Sequence, residues 1–215
     1  LKILKNIYGQ RQAGRTWAQH LCKGLISLGF AQSNAHDCIF YRGSTIFMVY
    51  VDDGIFLSPK ANEIDKCLKD MSSIFNLTDE GKISDYLGIK VQKCPSAKTI
   101  TLTQPHLIAS IITDINFTAN TKSKGVTVRP SVILLWDLEG PVFDEHWNYR
   151  LVIGKLNFLV NSTRPDIAYA VHQSARFAAN PKASHASAVR QIVRYLAGTS
   201  SKGLILRPNE HSFVV

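Results

Sequence analysis

The sequence predicts an α+β protein: antiparallel hairpins with packed helices come first, and a helical region follows. Three observations carry that prediction. Short apolar or aromatic runs before residue 105 flank clusters of turn residues, amphipathic segments of helical period alternate with them, and beyond residue 149 helical period prevails. With 215 residues, 45% of them apolar and 19% charged, the chain has material for one full core or two small ones. It is too apolar for a disordered tail.

Trp17, Leu21, Leu25 and Leu28 recur at helical spacing before Gly29, which places a helix over about 14–28. Two apolar runs, 38–41 and 46–50, flank Arg42-Gly43-Ser44-Thr45 and read as a hairpin. A second hairpin follows directly, with strands 46–51 and 54–57 around Asp52-Asp53-Gly54. A turn of that composition is expected to supply a residue with positive φ. Ile64, Leu68, Met71 and Phe75 mark a second helix, started by Asn62. The runs 86–92 and 99–104 alternate as two strands around Pro95-Ser96-Ala97. Pro105 then opens a helix over 106–115. Between residues 116 and 148 the pattern weakens, broken by Gly125, Pro130, Gly140 and Pro141, and a linker or surface crossing is expected. Three helices follow, at 151–160, at 166–179 with Pro165 in its first turn, and from a Ser184 cap to Gly198. The expected organisation is therefore a mixed region at 1–115, a crossing at 116–148 and a basic helical region at 149–215.

Net charge is +9, so a polyanion is the expected large partner. The excess is concentrated. From Arg150 to Arg207 nine basic residues face the single acid Asp166, and the rest of the chain is nearly neutral. Arg164, Arg176, Arg190 and Arg194 are the candidates to meet a phosphate backbone, the last two sharing one helix side at i, i+4. The four cysteines lie 16, 29 and 27 residues apart without a C-x-x-C pair, so neither a zinc ribbon nor a disulfide framework is suggested. Reduced thiols in an intracellular setting are expected. His36 and Cys38 lack a second ligand pair and read as a surface His beside a buried Cys. The longest apolar stretches fall far short of the roughly 20 residues of a membrane span, so no membrane partner is expected. The chain opens at Leu1 in sequence that already reads as folded, as an internal piece of something longer would.

Tyr50-Val51-Asp52-Asp53-Gly54-Ile55 is the most informative stretch, because two adjacent carboxylates lie between apolar strands. On a rigid turn they suit Mg²⁺ (or Mn²⁺), a hard cation that keeps waters and takes further oxygens from a phosphate. Two such ions about 4 Å apart serve phosphoryl transfer. Spacing alone equally allows an exposed Asp-Gly hairpin turn without a ligand. A phosphohydrolase using the same acids would need a nearby acid or His, for which no spacing offers a candidate.

The surroundings narrow the choice. Tyr50-Val51-Asp52-Asp53 resembles the palm-hairpin motif of reverse transcriptases. Leu4-Lys5-Asn6-Ile7-Tyr8-Gly9-Gln10-Arg11-Gln12-Ala13-Gly14-Arg15-Thr16-Trp17 resembles the K-x-L-Y-G-L-K-Q-A-P-R-x-W segment of copia-type (Pseudoviridae-like) LTR retrotransposon Pol polyproteins. Tyr86 to Val91, Leu102-Thr103-Gln104, Thr163 to Val171, Asn180-Pro181 with His185, and Arg194 to Thr199 follow in that family's order. The resemblance covers essentially the whole chain and implies a partial polymerase palm followed by a helical thumb or connection region. It implies an RNA-directed DNA polymerase acting by two-metal nucleotidyl transfer, with Asp52 and Asp53 as catalytic metal ligands. Tyr50 would lie beside the primer end, and Tyr8, Gly9, Arg11, Gln12 and Arg15 would line the nucleotide and template pocket. The partners implied are an RNA or DNA template–primer duplex, deoxynucleoside triphosphates and the remainder of the Pol polyprotein, in a cytoplasmic particle or the nucleus. The hairpin 86–104 resembles the primer-gripping element.

Two departures stand out. Gly14 and Gln10 replace the family's usual Pro and Leu, loosening the helix entrance. A further metal-binding Asp is expected upstream of Tyr8, and the seven residues before it are not acidic. The ribonuclease H carboxylates expected beyond Pro208 are also absent. The chain alone is therefore expected to polymerise little or not at all. The alternative is a non-enzymatic retroelement relic acting at most as a basic nucleic-acid-binding module.

Overall fold

The computed structural model describes residues 9–117 and 134–207. Tyr8 and residues 118–133 of the expected crossing lie outside the described residues. The chain forms two compact units, 1–83 and 84–215.

In the first unit helix α1 (Ala13–Ser27) precedes four strands, β1 (Ala31–Gln32), β2 (Ile39–Arg42), β3 (Thr45–Tyr50) and β4 (Asp53–Leu57), and helix α2 (Ala61–Ser72) follows. The strands form one antiparallel sheet in sequence order. One sheet face is dry. Phe47 and Phe56 are paired across β3 and β4 with stacked rings 4.5 Å apart, and they pack with Leu21 and Leu25 of α1 and Cys67 and Met71 of α2. Alternation along the strands puts Ile46, Met48, Tyr50, Asp53, Ile55 and Leu57 on the other face. Arg42 of β2 reaches Asp70 of α2 at 2.6 Å, tying helix to strand.

The second unit carries β5 (Asp85–Tyr86), β6 (Ile89–Cys94), β7 (Thr99–Thr103) and α3 (Pro105–Asp114), then α4 (Tyr149–Ser162), a 3-10 turn (Pro165–Ile167), α5 (Ala168–Ala175), α6 (Ala183–Gly198) and β8 (Leu204–Leu206). Its four-stranded antiparallel sheet runs β5-β6-β7-β8. Helices α3 to α6 enclose a core in which Ile111, Val152, Leu156, Leu159, Val189 and Ile192 are fully buried. Lys155 of α4 bonds Ser110 and Asp114 of α3 at 2.7 and 2.6 Å.

The division after Ile83 groups the hairpin and α3 with the later helices, where the sequence reading had them in a 1–115 region. The reason is α3, whose Ile108, Ile111 and Ile115 complete the helical core. The strand expected at 86–92 is broken by a tight reversal at Leu87 (φ 51°) and Gly88 (φ 76°), the two-residue turn that joins β5 to β6. The expected 166–179 helix is shorter than its pattern, because its first turn, Pro165–Ile167, winds as 3-10 and α5 ends at Ala175. Among the described residues no helix is long and apolar enough to cross a membrane.

Strand β8 depends on one glycine. A Cβ on Gly203 would sit 2.0 Å from the Leu102 carbonyl oxygen, so β8 can lie on β7 only if residue 203 has no side chain. Gly203→Ala is expected to destabilise the unit by about 1–3 kcal/mol, as overpacking against backbone does. Thermal unfolding measures the loss, and faster amide exchange confined to residues 204–206 and their partners 100–102 locates it.

Candidate functional site

Tyr50 and Asp53 are the last pair of the β3–β4 ladder, so the reversal consists of Val51 and Asp52 alone. The sequence reading placed the positive φ in Asp52-Asp53-Gly54. It is instead at Val51, with φ 55°. A two-residue loop whose first residue is left-handed and whose second is not ordinarily carries Gly first. A β-branched residue there costs roughly 1–3 kcal/mol. Gly54 is required for a different reason. A Cβ on it would lie 2.6 Å from the Phe47 ring, so its absence lets that ring cover the strand.

The strain at Val51 is met by a contact from α1. The Trp17 indole Nε1–H donates to the Val51 carbonyl oxygen at 2.9 Å across 34 residues of sequence. A hydrogen bond of this kind contributes about 0.5–1.5 kcal/mol net, comparable with the lower part of the strain. Sequence reading took Trp17 only as one of a helical apolar series. No local pattern signals a bond between residues so far apart.

Asp52 and Asp53 are exposed, and among the described residues neither carboxylate has a hydrogen-bond or ion-pair partner. Asp53 shares the open sheet face with Tyr50, itself 59% exposed. Adjacent, unpaired carboxylates on a short rigid turn fit a hard divalent cation that completes its shell with water and other oxygens. They supply part of such a shell. Among the described residues no three His, Cys, Asp or Glu side chains gather as a metal-holding group.

Gly9 adopts φ 92°, and Gln12 is the N-terminal boundary of α1, its carbonyl accepting from the Thr16 amide at 3.0 Å. Arg11 and Arg15 are exposed at the entrance of α1.

In the second unit the four arginines expected to meet phosphate separate into different kinds. Arg164 is a correction. It is 1% exposed, and its guanidinium donates to both Asp166 oxygens at 2.9 Å, to the Thr199 carbonyl at 3.0 Å and to the Thr199 hydroxyl at 2.9 Å. Burial opposes its charge, but the pairing with Asp166 outweighs that and raises its pKa. It locks the start of α5 to the end of α6 with four of its five N–H donors, and its burial closes it to an outside anion. Charge counting could not foresee this, since the partner that buries it is 35 residues away. Arg190 spends its charge on Glu145 at 2.6 Å. Arg176 is exposed with its guanidinium 5.5 Å from the Phe177 ring, and Arg194 lies over Phe117 at the same distance; neither has an acidic partner among the described residues. Arg150, part of the same positive excess, bonds the carbonyl of Ala178, two residues beyond Arg176, at 2.9 Å.

The family model described as reverse transcriptase (RNA-dependent DNA polymerase) matches residues 1–129. A retrovirus-related Pol polyprotein from transposon RE1 of Arabidopsis thaliana is 31% identical over 96% of the chain, which spans 14% of that polyprotein. A putative transposon Ty5-1 protein of Saccharomyces cerevisiae is 28% identical, with 96% of the chain and 67% of the relative covered. The Pol polyprotein from transposon TNT 1-94 of Nicotiana tabacum is 28% identical over 93% of the chain, which spans 16% of it. No solved structure matches the fold.

Proposed function

This chain belongs to the reverse transcriptase (RNA-dependent DNA polymerase) family, and from that premise we propose that it supplies two metal-holding carboxylates and a duplex-holding surface to a copia-type Pol polyprotein. The observation that carries the proposal is the turn at 51–52, which leaves Asp52 and Asp53 adjacent, exposed and, among the described residues, unpaired on a strained, tightly fixed reversal. The two residues hold Mg²⁺ or Mn²⁺, and the bound ion supplies activation of a primer hydroxyl and stabilisation of the leaving oxygen. A third carboxylate comes from outside this sequence, so the chain alone polymerises little or not at all. Tyr50 shares the open face with Asp53 and lies beside the primer end. Gly9, Arg11, Gln12 and Arg15 contribute to the pocket for template and deoxynucleoside triphosphate, where the two arginines meet phosphates. Arg150, Arg176 and Arg194 hold the duplex by its backbone, in the manner of a thumb region.

The test uses the full chain and a primer–template duplex with a recessed 3′ end. The contacts of Arg150, Arg176 and Arg194 alone predict that affinity falls at least roughly 40-fold between 50 and 200 mM salt. Adding Mg²⁺ is expected to extend protection onto the primer 3′ end. Binding without preference for a primer end, unchanged by Mg²⁺ and by Asp52→Asn, would leave a basic binding module and remove the polymerase reading.

A further inference from the structure

We propose that Trp17 is a positioning residue for the acidic turn: by holding the Val51 carbonyl it keeps Asp52 and Asp53 in the arrangement that binds a divalent cation. The inference rests on reading those two acids as metal ligands and adds a residue that touches neither metal nor substrate.

The argument begins with the peptide unit. The Val51 carbonyl and the Asp52 amide belong to one rigid plane, so a donor fixed on that oxygen fixes the orientation from which the Asp52 side chain departs. The donor is itself anchored. Trp17 lies in the second turn of α1, and its ring meets Phe75 edge-on at 6.4 Å and His20 at 6.2 Å. Burial alone does not explain a tryptophan at this place, because 38% of it is exposed and its one polar atom is directed at the turn.

The other half of the argument is Val51. At φ 55° its β-branched side chain disfavours the conformation the loop uses, so the loop holds that conformation only against an opposing preference. Glycine at 51 would adopt it freely. The indole bond and the identity of residue 51 therefore act on the same equilibrium, and a change at one is compensated at the other.

That compensation separates positioning from packing. The experiment is a Mn²⁺ titration of the ¹⁵N-labelled full chain, read as paramagnetic broadening of the Asp53 and Gly54 amides. In the unmodified chain these amides and the Trp17 indole N–H are expected to broaden well before the amides of Gly43 and Ser44 at the opposite end of β3, and Asp52→Asn is expected to suppress the effect. Trp17→Phe, which keeps a ring against Phe75, is expected to raise the Mn²⁺ needed for half-broadening about fivefold, the value of one ordinary hydrogen bond. Val51→Gly alone is expected to lie near the unmodified chain. The double variant is expected to return to within about twofold of Val51→Gly.

An unchanged response in Trp17→Phe overturns the proposal, as does a loss that Val51→Gly fails to rescue, since lost packing would not be restored by a glycine in the loop. Absence of any Mn²⁺ response in the unmodified chain is a distinct result: it removes the metal reading of the turn, and this inference with it. Should Trp17→Phe not fold, hydrogen exchange of the Trp17 indole in the unmodified chain decides the matter. Protection beyond that of the partly exposed Trp136 indole supports the bond, and exchange at the rate of a free indole overturns it.

Discussion

Asp52→Asn, introduced into this chain joined to the upstream part of a copia-type polyprotein, is expected to lower Mg²⁺-dependent primer extension by at least about 10³-fold. The size follows from what the amide cannot do. It keeps the shape of the carboxylate but loses its negative charge and most of its strength as a hard oxygen ligand, and the interactions at stake are worth several kcal/mol in phosphoryl transfer. Three decades in rate correspond to about 4 kcal/mol. The same change should leave the fold alone, because the side chain is exposed and unpaired among the described residues, and such substitutions usually stay within about 0.5 kcal/mol. Steady-state extension on a primed template, with thermal unfolding as the control, checks both halves. Extension at the unmodified rate would remove Asp52 from the site.

The largest stability effect is expected at Arg164. Arg164→Met keeps a flexible apolar stem in the buried space but deletes every donor that joins Asp166 to Thr199. Removing one partner of a buried ion pair costs about 3–5 kcal/mol; Asp166 is 41% exposed and regains water, which places the loss near the lower end, about 3 kcal/mol. The melting temperature should fall roughly 10 °C. The effect carries a pH signature. Burial pushes the Asp166 carboxyl up, but hydrogen bonds from Arg164 and Tyr195 outweigh it and hold the carboxyl below its ordinary 3.8. A carboxyl depressed by folding stabilises above its unfolded pKa, and that contribution is lost as pH falls through the folded value. The gap between Arg164→Met and the unmodified chain is therefore expected to be full at neutral pH and to narrow below about pH 4. Denaturant unfolding at pH 7 and pH 3 measures it. A gap that stays constant would mean that Arg164 stabilises by packing alone.

Much of this architecture is readable without coordinates where the signal is local. Leu21 and Leu25 place the buried stripe of α1, Ile108 and Ile111 that of α3, and Val189, Ile192 and Val193 that of α6. The apolar runs on either side of Asp52 and Asp53 locate the acidic hairpin itself. The details that escape are those in which one backbone conformation decides. Leu87 and Gly88 turn one expected strand into two, and Val51, rather than a residue of Asp52-Asp53-Gly54, takes the left-handed position. Composition cannot reveal the second, since a valine there contradicts its own preference and is held by atoms elsewhere in the fold.

By itself, the chain's order of residues determined which segments coil or extend, where the carboxylate pair falls, and how positive charge gathers after Arg150, because periodicity, turn chemistry and charge are properties of neighbours in sequence. Tertiary structure alone decided which charges remain free. It buried Arg164 against Thr199, paired Arg190 with Glu145, set β8 on β7 about one hundred residues away, and brought the Trp17 indole to the Val51 carbonyl. Each of these depends on contacts that form only when distant segments share one core. A hydrogen bond or ion pair changes what a side chain can offer to a partner without leaving any mark on the sequence around it.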